Sequence, residues 1–159
     1  MNIIFLDING VLIDTNPPFI SNTFLFNPEA MTNLSKLIEI TNSKIVISSS
    51  WKIGMKNPNN IYWQSILQNF RNYGILDSLI SVTPTLYNYR NFYSKSKEIS
   101  TWLSENFYVT KYIIISSEYL NNHLDNVLVK TSSKKCFSNI NLYNSIRLFN
   151  SDITLKKMQ

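Results

Sequence analysis

Short, uninterrupted apolar runs separated by segments of helical spacing constrain this chain more than any other feature of its sequence. Ile3 to Leu6 is one such run and ends in Asp7; Ile45 to Ile47 is a second and ends in three serines. Neither alternates apolar with polar residues, so each reads as a strand buried on both faces. Between them Asn27 offers a cap, Pro28 suits the first helical position, Glu29 favours the helix dipole, and Met31, Leu34, Leu37 and Ile38 repeat at helical spacing. The pattern recurs. Ile61, Ile66, Leu67, Phe70 and Tyr73 predict a helix stopped by Gly74, and Leu79 to Val82 a strand terminated by Pro84. Ile99, Trp102, Leu103 and Phe107 mark a third helix, Tyr112 to Ile115 and Val127 to Val129 two further strands, and Leu142, Ile146 and Phe149 a last helix within Ser138 to Asn150.

Parallel strands need crossover connections, and those crossovers are right-handed, so alternating strands and helices predict an α/β fold: a three-layer α/β/α sandwich on a mainly parallel, doubly wound sheet. A chain of 159 residues has room for one such domain, expected over 1–150 with 151–159 as a C-terminal tail. Hydrophobic residues at 44% against 16% charged argue against disorder, and 3 Gly exclude a collagenous class. No apolar run approaches the roughly 20 residues of a membrane helix. The first run is broken by Asp7 and Asn9 and has no basic segment before it, so neither a membrane span nor a signal peptide is expected. The single cysteine, Cys136, predicts a reducing compartment, the cytoplasm. Fifteen Lys and Arg against 10 Asp and Glu give a net charge of +5 and a pI near 9.3, which favours anionic partners without identifying one. The basic groups Lys130, Lys134, Lys135 and Lys156, Lys157 read as solvated surface.

Ligands of doubly wound sheets bind beyond the carboxyl ends of the strands, which singles out Asp7 to Gly10, Ser48 to Ser50 and Ser116 to Glu118. In Phe5-Leu6-Asp7-Ile8-Asn9-Gly10-Val11-Leu12 a carboxylate follows a buried strand, a polar residue stands two positions on, and a glycine then permits a tight turn. Such an Asp reads in two ways. It can attack phosphorus beside a divalent cation, or it can merely cap a loop.

The segment resembles motif I of the haloacid dehalogenase (HAD) superfamily, and the chain from Ile3 to about Asn150 resembles HAD-like domains associated with bacterial and viral RNA-repair proteins. Lys44-Ile45-Val46-Ile47-Ser48-Ser49-Ser50-Trp51-Lys52 is similar to motif II, with Ser49 at the position that hydrogen-bonds the phosphoryl group. Lys95, before Glu98-Ile99 and Trp102-Leu103, matches the basic residue of motif III, with Lys97 the second candidate; Leu128-Val129-Lys130-Thr131 and Cys136-Phe137-Ser138 follow the closing pattern. The resemblance implies a HAD/Rossmann-like fold in which Asp7, Asn9, Ser49 and Lys95 carry the chemistry. It implies phosphate binding by Gly10, Ser49, Ser50 and Lys95, and magnesium held by Asp7, the backbone of Asn9, and Glu118. The insert from Ile13 to Phe26 is too short for a cap domain and is expected to form a loop or flap, with Lys52 to Asn60 and Pro84 to Tyr93 narrowing the same opening. The aromatic stretch from Thr85 to Tyr93 reads as a partner surface or as an edge of the core.

Two departures weigh on the function that the resemblance implies. Asn9 stands where the family's phosphatases carry a general acid and base, a role that contributes on the order of 10²- to 10⁴-fold and that an amide cannot fill. Ser116 and Ser117 stand where the family places an Asp pair for magnesium, leaving Asp7 with only Glu118 as a nearby second carboxylate, so magnesium is expected to bind weakly or not at all. Asp14, Asp125 and His123 read as surface or loop residues, and Cys136 as small and buried. Trp51, Trp63 and Trp102 suit the core, with Trp51 also placed to line a pocket mouth. The expectation is a catalytically degenerate phosphatase-fold domain that binds phosphate or a phosphorylated ligand with little or no turnover. The alternatives are an active metal-dependent phosphatase, forming an aspartyl phosphate on Asp7 and acting on a small phosphoester or nucleic-acid end, and a non-catalytic protein-interaction domain. The net charge permits nucleic acid, but no binding motif indicates it.

Overall fold

The computed structural model describes residues 1–86, 94–120 and 123–156. Five parallel strands form one sheet among these residues: β1 (Asn2–Leu6), β4 (Ser43–Ile47), β5 (Leu79–Val82), β6 (Lys111–Ser116) and β7 (Leu128–Lys130), in the order β5-β4-β1-β6-β7. β1 lies at the centre, and its Phe5 is abreast of Val46 on one side and Ile114 on the other. Strand order reverses at β1. The connections leaving it in either direction part at its carboxyl end and open a cleft there.

Apolar runs form these strands because both faces of the sheet are covered. Ile4, Leu6, Ile45, Ile47, Ile113 and Ile115 pack under α1 (Pro28–Thr41), α2 (Ile61–Asn72) and α4 (Asn139–Phe149). Ile3, Phe5, Val46 and Ile114 pack under α3 (Lys95–Glu105) and the 3-10 turn at His123–Val127. This is the three-layer α/β/α architecture.

Local chemistry sets the ends of the helices. The Asn27 side chain accepts from Ala30 N at 3.0 Å, Pro28 opens α1, and the helix ends at Asn42 in a left-handed conformation. Asn60 caps α2 through Tyr62 N and Trp63 N. That helix closes before Gly74, whose φ of +69° lets Ile75 N return to Phe70 O at 3.0 Å. In α4, Ser138 and Asn141 form a reciprocal capping box.

The insert after β1 is a small hairpin rather than a plain loop, made by β2 (Phe19–Ile20) and β3 (Thr23–Phe24). Ser21 and Asn22 between them both have positive φ, the requirement of a two-residue type I′ turn. The hairpin is tied to α2 by Ser65 and Asn69, buried polar residues one turn apart: Ser65 Oγ accepts from Phe24 N, and the Asn69 amide bonds both Phe24 O and Phe26 N. Three smaller differences from the sequence pattern have simple causes. α3 ends at Glu105, leaving Phe107 outside it and 88% exposed. Val127 closes a 3-10 turn, so β7 begins at Leu128, and His123 opens that same turn. Residues 151–156 lie against the domain, with Lys156 Nζ donating to Leu103 O and Asn106 O at the end of α3. Within the aromatic stretch from Thr85 to Tyr93, positions 87–93 lie outside the described residues, as does Lys157. Among the described residues no helix is long and apolar enough to cross a membrane.

Candidate functional site

The parallel ladder runs one rung past the named strands. Asp7 N donates to Ile115 O at 3.0 Å and Ser48 N donates to Leu6 O at 2.9 Å, so Asp7 is flanked by Ser48 and Ser116. Phe5, Val46 and Ile114 share the face covered by α3, and strand alternation puts the side chains two residues on, Asp7, Ser48 and Ser116, on that same face. Lys95 is the first residue of α3 and enters from this side. Its position is locally unfavourable, since a cation at a helix N-terminus opposes the macrodipole. What holds it is Asp7.

Asp7 is 6% exposed, and its carboxylate takes a bond on each oxygen. Oδ1 accepts from Ile8 N at 2.9 Å; Oδ2 accepts from Lys95 Nζ and from Ser116 Oγ, the latter at 3.1 Å. Lys95 also reaches Ser116 Oγ and Glu118 Oε2, both at 3.4 Å. Burial disfavours the ammonium, but the charge and hydrogen bond of Asp7, with a smaller contribution from Glu118, outweigh it and raise the Lys95 pKa above its ordinary value. Lys97 is exposed and takes no part.

Ser117 Oγ donates to Asn9 O at 3.1 Å, and Thr131 Oγ1 donates to Gly10 O at 2.7 Å. These bonds fix the turn from Asp7 to Gly10. Gly10 has φ +71°, and a Cβ on it would stand 2.7 Å from Ser117 Oγ and 3.2 Å from the backbone of Ser133. Only glycine fits. The Asn9 side chain is exposed, facing the cavity with Gly10 and Ser117.

Ser49 is buried and its hydroxyl accepts from Trp51 N at 3.2 Å, capping the 3-10 turn Ser50–Lys56. No hydrogen bond joins it to Asp7 or Lys95. The neighbouring Ser48, which the motif pattern does not single out, stands on the Asp7 rung. Its hydroxyl is, among the described residues, the one buried side-chain polar atom without a hydrogen-bond partner. A second buried feature joins two residues that the motif segments contain without giving them a role. Lys52 and Glu98, 4% and 1% exposed, form an ion pair of 2.5 Å. Lys52 donates further to Thr83 Oγ1 and Pro84 O, and Glu98 accepts from Leu86 N at 2.9 Å. Glu98 lies three residues after Lys95 on α3, so the pair anchors the same helical turn that delivers Lys95 to Asp7.

A cavity of about 810 Å³ opens beside this cluster, between the hairpin and the 50–56 turn. Asn9, Gly10, Ser50 and Ser117 form its polar end; Phe24, Trp51 and Tyr62 form an aromatic wall, with ring centroids 4.9 to 5.8 Å apart. Trp51 is therefore both a core residue and part of the cavity wall. Asp14 reaches the rim and bonds its own loop through Asn16 N, while Asp125 accepts from Leu120 N at the far side of β6. Cys136 is fully buried; burial, and secondarily Asp14, push its thiol pKa up.

The residues do not fit a magnesium ion. Among the described residues no three carboxylate, histidine or cysteine side chains gather around one point. Glu118, the expected second carboxylate, has a side chain 73% exposed and meets Lys95. Both Asp7 oxygens already accept hydrogen bonds, Oδ2 from Ser116 Oγ and Oδ1 from Ile8 N, and Asn9 O accepts one from Ser117 Oγ. Magnesium requires near-octahedral oxygen ligation anchored by one or two available carboxylates, and donors stand here where acceptors are needed.

No curated protein and no solved structure matches the chain. Residues 3–142 match the family described as the HAD domain in Swiss Army Knife RNA repair proteins. A match of that span, on a fold whose strand tips bring Asp7 and Lys95 together, makes the chain a member of this HAD family.

Proposed function

We propose that this domain binds the phosphate group of a phosphorylated ligand at the tip of β1 and turns it over slowly or not at all. The observation that carries the reading is the rung itself: Lys95 and the unpartnered Ser48 hydroxyl face the side of the sheet on which Asp7 lies. An incoming phosphoryl oxygen would accept from Ser48 and from Lys95, whose 3.4 Å contact with the exposed Glu118 it would displace, and Asp7 is retained where a nucleophile would stand. Asn9 has no proton to give a leaving oxygen and cannot activate water, so formation and hydrolysis of an aspartyl phosphate both lose their acid-base partner. The remainder of the ligand would occupy the neighbouring cavity, whose aromatic wall suits a flat or apolar group. An RNA end is the phosphorylated ligand in this proposal, which the family's occurrence in RNA repair proteins supports and with which the net charge of +5 is compatible. A reducing cytoplasm is part of the proposal, since the one thiol is free and buried.

The persistence of Asp7 against Lys95 favours one second reading, an active phosphatase that forms an aspartyl phosphate on Asp7. Incubating the purified chain with a generic phosphate ester and with a phosphorylated oligonucleotide, in magnesium and beside Asp7→Asn, separates the two. The proposal predicts saturable binding of the phosphorylated ligand, weakened in Lys95→Met, with turnover at background. Turnover that disappears in Asp7→Asn establishes the phosphatase, and absence of any phosphate-dependent binding contradicts the proposal.

A further inference from the structure

We infer that the hydroxyl protons of Ser116 and Ser117, with the ammonium of Lys95, take the place of a divalent cation, so that the site is assembled and receives its anion without metal. This deepens the proposed function and rests on its placement of the site at the Asp7 rung.

The direction of the hydrogen bonds carries the inference. Ser116 is fully buried, and its Oγ already accepts from Glu118 N at 3.2 Å and faces the Lys95 ammonium at 3.4 Å. Both of these neighbours are donors. Its single proton is therefore committed to Asp7 Oδ2. Ser117 donates in the same way to Asn9 O, and Gly10 leaves the space in which that hydroxyl sits. Two consecutive serines thus neutralise, one each, the side-chain and main-chain oxygens on which a metal would rest.

Charge balance makes the exchange self-consistent. Replacing two carboxylates and a divalent cation by two neutral hydroxyls leaves the net charge of the cluster unchanged. Asn9 in place of an acid removes one further negative charge. An anion therefore meets a field no more repulsive than one with metal and carboxylates present, and the Lys95 ammonium, hydrogen-bonded to Asp7 Oδ2, supplies the fixed positive charge.

The test is a calorimetric titration with magnesium chloride, followed by inorganic phosphate titrated in chelator and in magnesium. The wild-type protein is expected to give no saturable magnesium heat and the same phosphate affinity in both buffers. The variant Asn9→Asp/Ser116→Asp/Ser117→Asp is expected to gain a saturable magnesium site that Asp7→Asn then removes. If the triple variant does not fold, the wild-type titrations decide alone. Saturable magnesium binding to the wild type that Asp7→Asn abolishes overturns the inference, as does a phosphate affinity raised about tenfold or more by magnesium, the size of ordinary coupling between sites. Absence of phosphate binding in both buffers contradicts the proposed function and the receipt of the anion with it, whereas saturable magnesium binding to the wild type overturns the inference alone, so the two are told apart.

Discussion

Gly10 and Gly74 share a left-handed backbone, with φ of +71° and +69°, and differ in what surrounds them. Nothing lies within 4 Å of a Cβ built on Gly74, whereas one on Gly10 meets Ser117 and Ser133. Gly74→Ala is expected to cost only the left-handed penalty, about 1–2 kcal/mol. Gly10→Ala adds a steric clash and should cost more, with a clearly lower Tm in thermal unfolding and weaker phosphate binding. Equal losses for the two would contradict the packing of Ser117 against Gly10. Cys136 gives a second expectation at this scale: buried and with its pKa raised, it should react with iodoacetamide slowly in the native protein and rapidly in denaturant. Asp7, Gly10 and Lys95 were legible in the sequence, because each is demanded by its position at a strand end, a tight turn or a motif. Ser48 was not. Three consecutive serines look alike in sequence, and only the register of β4 on β1 shows which of them lies beside Asp7.

At the scale of elements, the Lys52–Glu98 pair joins three segments: the 50–56 turn, the chain after β5, and α3. Removing one partner leaves a buried, unpaired charge, so Glu98→Leu or Lys52→Met should each destabilise the domain by about 3–5 kcal/mol, whereas Lys52→Met/Glu98→Leu should recover part of that loss. Chemical denaturation of the four proteins measures it. Nonadditivity is the expected sign, and simple additivity would mean that the two side chains act independently. The strands and helices of the main sheet were readable because continuous apolar runs and helical spacing follow from burial on both faces of the sheet. The β2–β3 hairpin was not, since it depends on positive φ at Ser21 and Asn22 and on Ser65 and Asn69 of α2, contacts far apart in sequence. The Lys52–Glu98 pair was hidden for the same reason.

Over the whole molecule, reversal of strand order at β1 creates the cleft, and α3 closes one side of it with Lys95. The raised pKa of Lys95 gives the ion pair a definite pH window. A lysine whose pKa is higher folded than unfolded contributes stability in full below its unfolded value, and that contribution is lost as pH rises through the folded value. The stability difference between wild type and Lys95→Met should therefore show no lysine-linked change from about pH 6 to 9 and shrink only above the ordinary lysine range. Shrinkage beginning near neutrality would contradict the charge state assigned to Lys95. The most direct test of the account is diffraction from crystals soaked in tungstate, a heavy analogue of phosphate, with chelator present. The account predicts anion density within hydrogen-bonding distance of Lys95 Nζ and Ser48 Oγ beside Asp7, and none there in Lys95→Met. Density confined to exposed lysines such as Lys134 and Lys135, or an Asp7 rung left empty at saturating tungstate, would contradict it.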